Sequence, residues 1–169
     1  MNTMEALQTR RTIRVYGPGR IAPDPVDRWL RAAMRAPSAA DARPWQFVVI
    51  DDRATLERLE AAMPKCDMLK TAPMAILVVA DPAREKIPGF LPQDCACVTE
   101  YLLLAVHDSG YGACWIGLHP VPDREHACRE ILGIPDSLIP FALVTIGCPA
   151  ETPPPDDRYD PSIIHAQRW

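Results

Sequence analysis

The side chains with the clearest chemical potential stand close together near the start, in Arg10-Arg11-Thr12-Ile13-Arg14. A guanidinium fork binds phosphate oxygens bidentately, and a hydroxyl between two such forks adds one more donor. The cluster therefore suits a phosphate group, although solvated arginines on a surface turn make the same pattern. Charge favours the anionic ligand. Residues 1–45 carry eight arginines against Glu5, Asp24, Asp27 and Asp41, so this segment is basic within a chain of net charge −4. A local basic cluster on an acidic protein matches a small anion and supplies no broad surface for nucleic acid.

Other reactive residue types read as structure. The six cysteines are Cys66, Cys95, Cys97, Cys114, Cys128 and Cys148. Only Cys95 and Cys97 are close, in an apolar run and without zinc-knuckle spacing, so buried structural thiols are expected rather than a metal site. The N-terminus lacks a basic-then-apolar signal pattern, and no apolar run is long enough to span a membrane, so a cytoplasmic location without a disulfide framework is the expectation. His107, His126 and His165 read as surface or packing residues; His119, just past the strand at 113–118, leaves two readings open, a packing residue or one that touches substrate. Taken alone, Trp45 and Trp115 are core aromatics, and Gly117 is a bulge or close-packing glycine.

These residues need a scaffold, and 169 residues, 48% of them hydrophobic, make one domain. A first helix is expected from an Asn2 or Thr3 cap to about Arg10. A second begins at Asp24-Pro25, as cap and first helical proline, and buries Val26, Trp29, Leu30, Ala33 and Met34. Strands are expected at 46–50, 75–80, 113–118 and 141–146. A third helix carries Leu56, Leu59 and Met63 after an Asp51 or Asp52 cap. A long helix over 92–108 is apolar almost all round and must be covered on every side, by the core or by a partner subunit. A last helix, 122–132, is closed by Gly133 and Pro135. The proline-rich end, with Ile163, Ile164 and Trp169, either folds back on its own core or packs on a neighbouring subunit.

Several segments together carry a family signal. Ala36-Pro37-Ser38-Ala39-Ala40-Asp41-Ala42-Arg43-Pro44-Trp45, followed by a strand, resembles the nitroreductase-family segment Ala-Pro-Ser, two residues, Asn, one residue, Gln-Pro-Trp. Arg10, Thr12 and Arg14 resemble that family's opening Arg-x-Ser/Thr-x-Arg/Lys element. Gly110-Tyr111-Gly112 leading into Cys114-Trp115-Ile116-Gly117-Leu118 resembles its glycine turn and Cys-Trp-Ile-Gly strand. Arg158-Tyr159-Asp160-Pro161, His165 and Arg168-Trp169 look like the close of short members. The motifs stand in the family's order over the whole chain.

The resemblance implies an α+β fold, with a mainly antiparallel central sheet flanked by helices, in an intertwined homodimer. Residues 1–148 would form one FMN-binding domain and 149–169 an arm packing on the partner subunit. It implies FMN at the subunit interface and NAD(P)H as reductant, with a nitroaromatic, quinone or similar small-molecule acceptor. Arg10, Thr12 and Arg14 would hold the phosphate, with Arg11 beside the ribityl chain or the phosphate, and Arg158 would complete the site from the C-terminal side. Pro37, Ser38, Ala39 and the adjoining Asp41 would line the flavin of the other subunit, and the Trp115-Ile116-Gly117-Leu118 backbone would run along its ring. No catalytic acid or base is implied, since the flavin carries the redox chemistry. Three departures stand out. Asp41 and Arg43 replace neutral Asn and Gln, and Asp156 replaces a basic residue two positions before Arg158. They favour a rival reading, a flavin-binding storage or sensing module with little turnover.

Overall fold

The computed structural model describes residues 1–169. Its frame is a four-stranded sheet of β1 (Trp45–Ile50), β2 (Met74–Ala80), β3 (Gly112–Gly117) and β4 (Ile139–Gly147). The spatial order is β1-β2-β4-β3, and every neighbouring pair is antiparallel. The helices are α1 (Thr3–Thr9), α2 (Pro23–Ala33), α3 (Arg53–Ala62), α4 (Leu91–Asp108) and α5 (Pro122–Leu132).

Strand periodicity divides the core in two. In β2, Met74, Ile76, Val78 and Ala80 face α2 and α4, whereas Ala75, Leu77 and Val79 face α3 and α5. Both faces are covered, so β2 is buried at every position and reads in sequence as a continuous apolar run. Trp29 of α2 is buried in the first core, and its indole N–H donates to the Ser109 hydroxyl at 2.9 Å. That contact lets a large apolar side chain be buried, worth about 1.5–3 kcal/mol, without orphaning its polar atom.

Local chemistry sets most element ends. Asn2 caps α1 in a reciprocal capping box with Glu5, and Asp52 caps α3 through the Thr55 amide. Gly133 closes α5 in the left-handed conformation. The start of α2 differs from expectation. Pro23 is already helical, Ala22 stands at the cap, and Asp24 falls in the first turn, where its charge suits the helix dipole. Val26, Trp29 and Ala33 are buried as expected, whereas Leu30 is half-buried and Met34 exposed.

Within one chain α4 is covered along one stripe only: Leu91, Cys95, Val98, Leu102, Leu103 and Val106 are buried, but Tyr101 is exposed. Of the cysteines, Cys66, Cys95, Cys114 and Cys128 are buried; Cys97 is half-buried and Cys148 exposed, so the expectation of buried thiols fails at Cys148. It stands just beyond β4, where the chain leaves the sheet. The C-terminal segment does not fold back on the core. Tyr159, Ile163 and Ile164 are exposed, and Trp169 is fully so.

Candidate functional site

The site is organised by β3, an edge strand with β4 on one side only. The Ile13 amide donates to the Ala113 carbonyl at 2.9 Å, which lays the arginine segment beside the first half of this edge. Backbone groups of an antiparallel strand point alternately to either side. Ala113 faces outward, so Trp115 and Gly117 do too. The Gly117 carbonyl is taken by Arg124 of α5 at 2.8 Å. Ile116 and Leu118 point into the α3/α5 core, leaving only their backbone to the site.

The chain beyond β4 locks the arginine segment in place. Gly17 donates to the Cys148 carbonyl, Ala150 to the Val15 carbonyl, and Tyr16 bridges to Pro149. One Glu151 carboxylate oxygen then accepts from the amides of both Arg14 and Val15. Residues 149–151 are thus bound to their own chain, and the free arm starts after them.

From there the arm crosses in front of Arg11, whose fork donates to the carbonyls of Gln8 (2.9 Å), Arg10 (2.8 Å) and Asp156 (3.2 Å). Its Nε is buried with no partner. A recess of about 560 Å³ results, lined by Arg10, Arg11, Asp156, Asp157 and Arg158 together with Leu7, Gln8 and Pro155. Arg10 uses its Nε on Glu100 of α4 at 3.1 Å, and Arg158 uses its Nε on Asp156. In each case the terminal nitrogens remain unpaired, the ends that suit an oxyanion. The structure brings Arg10, Arg11 and Arg158 together across most of the sequence. Thr12 and Arg14 do not line this recess. Thr12 pairs with Ala113, and Arg14 lies near the Cys114 thiol, which burial pushes up and Arg14 partly offsets.

The 37–43 loop lies elsewhere. Ala40, Asp41 and Arg43 adopt φ of 50, 52 and 49°, a left-handed geometry unusual for residues other than glycine. Five ties hold it. The Ala39 amide donates to the Asp94 carboxylate (2.9 Å) and the Arg43 amide to the Ser38 hydroxyl (2.9 Å). Arg43 grips Asp41 through two bonds of 2.7 and 3.0 Å. Lys86 donates to the carbonyls of Ala40 and Asp41. The two charged replacements thus neutralise each other, and the Arg43 guanidinium holds the Asp41 carboxyl below its usual range. Strain held by so many contacts is typical of functional segments. Pro37, Ser38, Ala39 and Asp41 do not reach the arginine recess within one chain.

A profile of the nitroreductase family matches residues 7–66 and 60–148. The chain belongs to the nitroreductase family. A Methanothermobacter thermautotrophicus protein, provisionally named an NADH dehydrogenase/NAD(P)H nitroreductase, is 43% identical over 169 residues, covering 100% of this chain and 88% of its own. A Parabacteroides distasonis crystal structure with the same provisional name superposes with TM-score 0.94 at 32% identity, covering 99% of this chain and 98% of the other. A Clostridium difficile structure described as an FMN-dependent nitroreductase gives TM-score 0.91 at 27% identity, covering 99% of this chain and 100% of that one. The fold is therefore the α+β nitroreductase fold, and the chain is an oxidoreductase of that family.

Sequence reasoning missed the residues that support the arginine segment, the 37–43 loop and the end of β3: Glu100, Glu151, Asp94, Lys86 and Arg124. Each acts on a partner in another element, and no local spacing announces such a pair.

Proposed function

We propose that this chain is an FMN-dependent oxidoreductase that passes electrons from NAD(P)H to a nitroaromatic, quinone or similar small acceptor. The observation that carries the reading is the convergence of Arg10, Arg11 and Arg158 in one recess, next to the segment that Ile13 ties to the edge strand β3. A Cβ at Gly117 would meet nothing within 4 Å, so this glycine is not there for packing and a flat ligand can approach the backbone. The buried, unpartnered Nε of Arg11 is a further donor facing no protein acceptor. These residues fit a flavin mononucleotide. Arg10 and Arg158 would hold the phosphate, and Arg11 would hold the arm in place and offer its Nε. The outward amides of Trp115 and Gly117 would line the ring. Arg14 and Thr12 would contribute mainly by fixing the segment on β3. The flavin would supply the hydride chemistry; the chain orients and encloses it. The family and the FMN-dependent neighbour support the same cofactor.

The second subunit enters for a physical reason. The strained 37–43 loop and the arginine recess lie apart in one chain, while Tyr101 of α4 and the apolar groups of the arm stand uncovered. A homodimer with FMN at the interface, the loop from one protomer facing the recess of the other, and the arm beyond Glu151 packed on the partner answers all three. No helix is long and apolar enough to cross a membrane.

A second reading, flavin storage or sensing with little turnover, is favoured by Asp156 and Asp157 within the recess. One set of measurements separates the alternatives. The purified protein is expected to be yellow, to bind FMN more tightly than FAD by calorimetry, and to bleach anaerobically with NADH or NADPH. Light scattering should give a dimer mass. Colour without bleaching supports the storage reading; no flavin binding ends both.

A further inference from the structure

We infer that His119, oriented by Glu125, donates the proton that accompanies electron transfer to the acceptor; this rests on the flavin-dependent function proposed above. His119 stands two residues past Gly117, the last residue of β3. Its ring stacks on Phe141 at 6.1 Å, and Trp115 lies against the same Phe141 ring at 6.3 Å. Between them Gly117 contributes no side chain. Trp115 and His119 thus both lie against one Phe141 ring, beside a glycine. A flat aromatic acceptor fits such a place by stacking.

The imidazole is set up for proton delivery. Its Nδ1 lies 2.8 Å from the Glu125 carboxylate, and the two side chains are 31% and 23% exposed. A carboxylate at Nδ1 takes that N–H as donor and leaves Nε2 as the nitrogen that exchanges a proton with a ligand. The charged group on the ring is Glu125 of α5, and Arg124 of the same helix is held on the Gly117 carbonyl. From β4 the ring meets the uncharged Phe141. Two-electron reduction of a quinone needs a hydride, which originates from NAD(P)H, and one proton. In the inferred step the Nε2–H bond of the imidazolium breaks and an O–H bond forms on the quinone oxygen, giving the hydroquinone and neutral imidazole. Solvent, which reaches the partly exposed ring, returns the proton.

His119→Gln tests this with two acceptors. A quinone takes up protons; ferricyanide takes one electron and no proton. Flavin content, read from absorbance, should equal that of the wild type. Quinone turnover should fall by about a hundredfold, the ordinary contribution of a positioned acid, while ferricyanide turnover is unchanged. An equal fall for both acceptors, or no fall for either, overturns the inference. A second readout needs no flavin. Nitrogen-15 NMR of the flavin-free protein should show neutral His119 protonated on Nδ1, and Glu125→Ala should shift the proton toward Nε2. A wild-type ring carrying its proton on Nε2 refutes the Glu125 orientation. A colourless wild-type protein would instead count against the flavin reading itself.

Discussion

Replacing Gly112 with alanine should loosen the arginine segment without touching an arginine. A Cβ at this position would lie 2.7 Å from the Ile13 Cβ and 2.8 Å from both of its γ carbons. Carbon atoms pack comfortably at about 3.5–4 Å, so Ile13 must retreat by roughly 1 Å. It cannot do so by rotation, because the nearest atom is bonded directly to its backbone. Ile13 is also 8% exposed and fixed through its amide to Ala113. Overpacking of this kind costs about 1–3 kcal/mol. Alanine also restricts the unfolded chain, which offsets about 0.4–1 kcal/mol. The net is a destabilisation of about 1–2 kcal/mol, or a melting point lower by about 2–8 °C for a chain of this size. Displacing Ile13 moves Arg10 and Arg11 with it, so FMN affinity should fall as well. Gly117→Ala is the control: nothing crowds its Cβ, so stability should hold while flavin-dependent turnover drops. Thermal melts at fixed protein concentration, paired with FMN titrations, read both quantities. A Gly112→Ala protein that melts with the wild type and binds FMN equally well refutes the reasoning.

Further outcomes follow from the same geometry. Arg10→Ala removes a charge-assisted phosphate contact worth about 1.5–3 kcal/mol, so FMN affinity should drop about tenfold to hundredfold, with turnover recovering when FMN is added to saturation. Failure to recover once flavin content is restored would give Arg10 a role beyond anchoring. Asp156→Asn removes a carboxylate from the recess and frees the Arg158 Nε; calorimetry should show FMN binding up to about fivefold tighter, given the modest worth of exposed ion pairs. Burial raises the Cys95 and Cys128 thiols from an ordinary 9.0 to about 12. The folded state keeps protons that the unfolded chain releases, so this contribution is fully present below pH 9 and is lost as pH rises toward 12. Urea midpoints measured across that window should fall with pH, and less steeply in Cys128→Ala; a flat profile would contradict the assignment.

The secondary structure was largely legible because its signals are local. Asn2 and Asp52 cap the helices that follow them, Pro122 and Gly133 bracket α5, and β2 reads as buried because apolar groups occupy both faces. The start of α2 was misplaced by a local competition, in which Pro23 was as ready to begin a helix as Asp24 was to cap one. The site was legible only as residue types in order. Arg10, Arg11, Thr12 and Arg14 read as an anion site, and the family resemblance added Arg158 to it. Which arginines would share a recess depended on contacts distant in sequence: Glu100 on Arg10, the Asp156 carbonyl on Arg11, and Glu151 on the backbone of Arg14 and Val15. Likewise, the exposure of Cys148 and the shared face of Trp115, Phe141 and His119 depend on how the strands are stacked. Capping and periodicity act over a few residues and leave their mark in the string itself. A pairing between side chains a hundred positions apart is settled by sheet order and by the path of the arm, which exist only once the chain has folded.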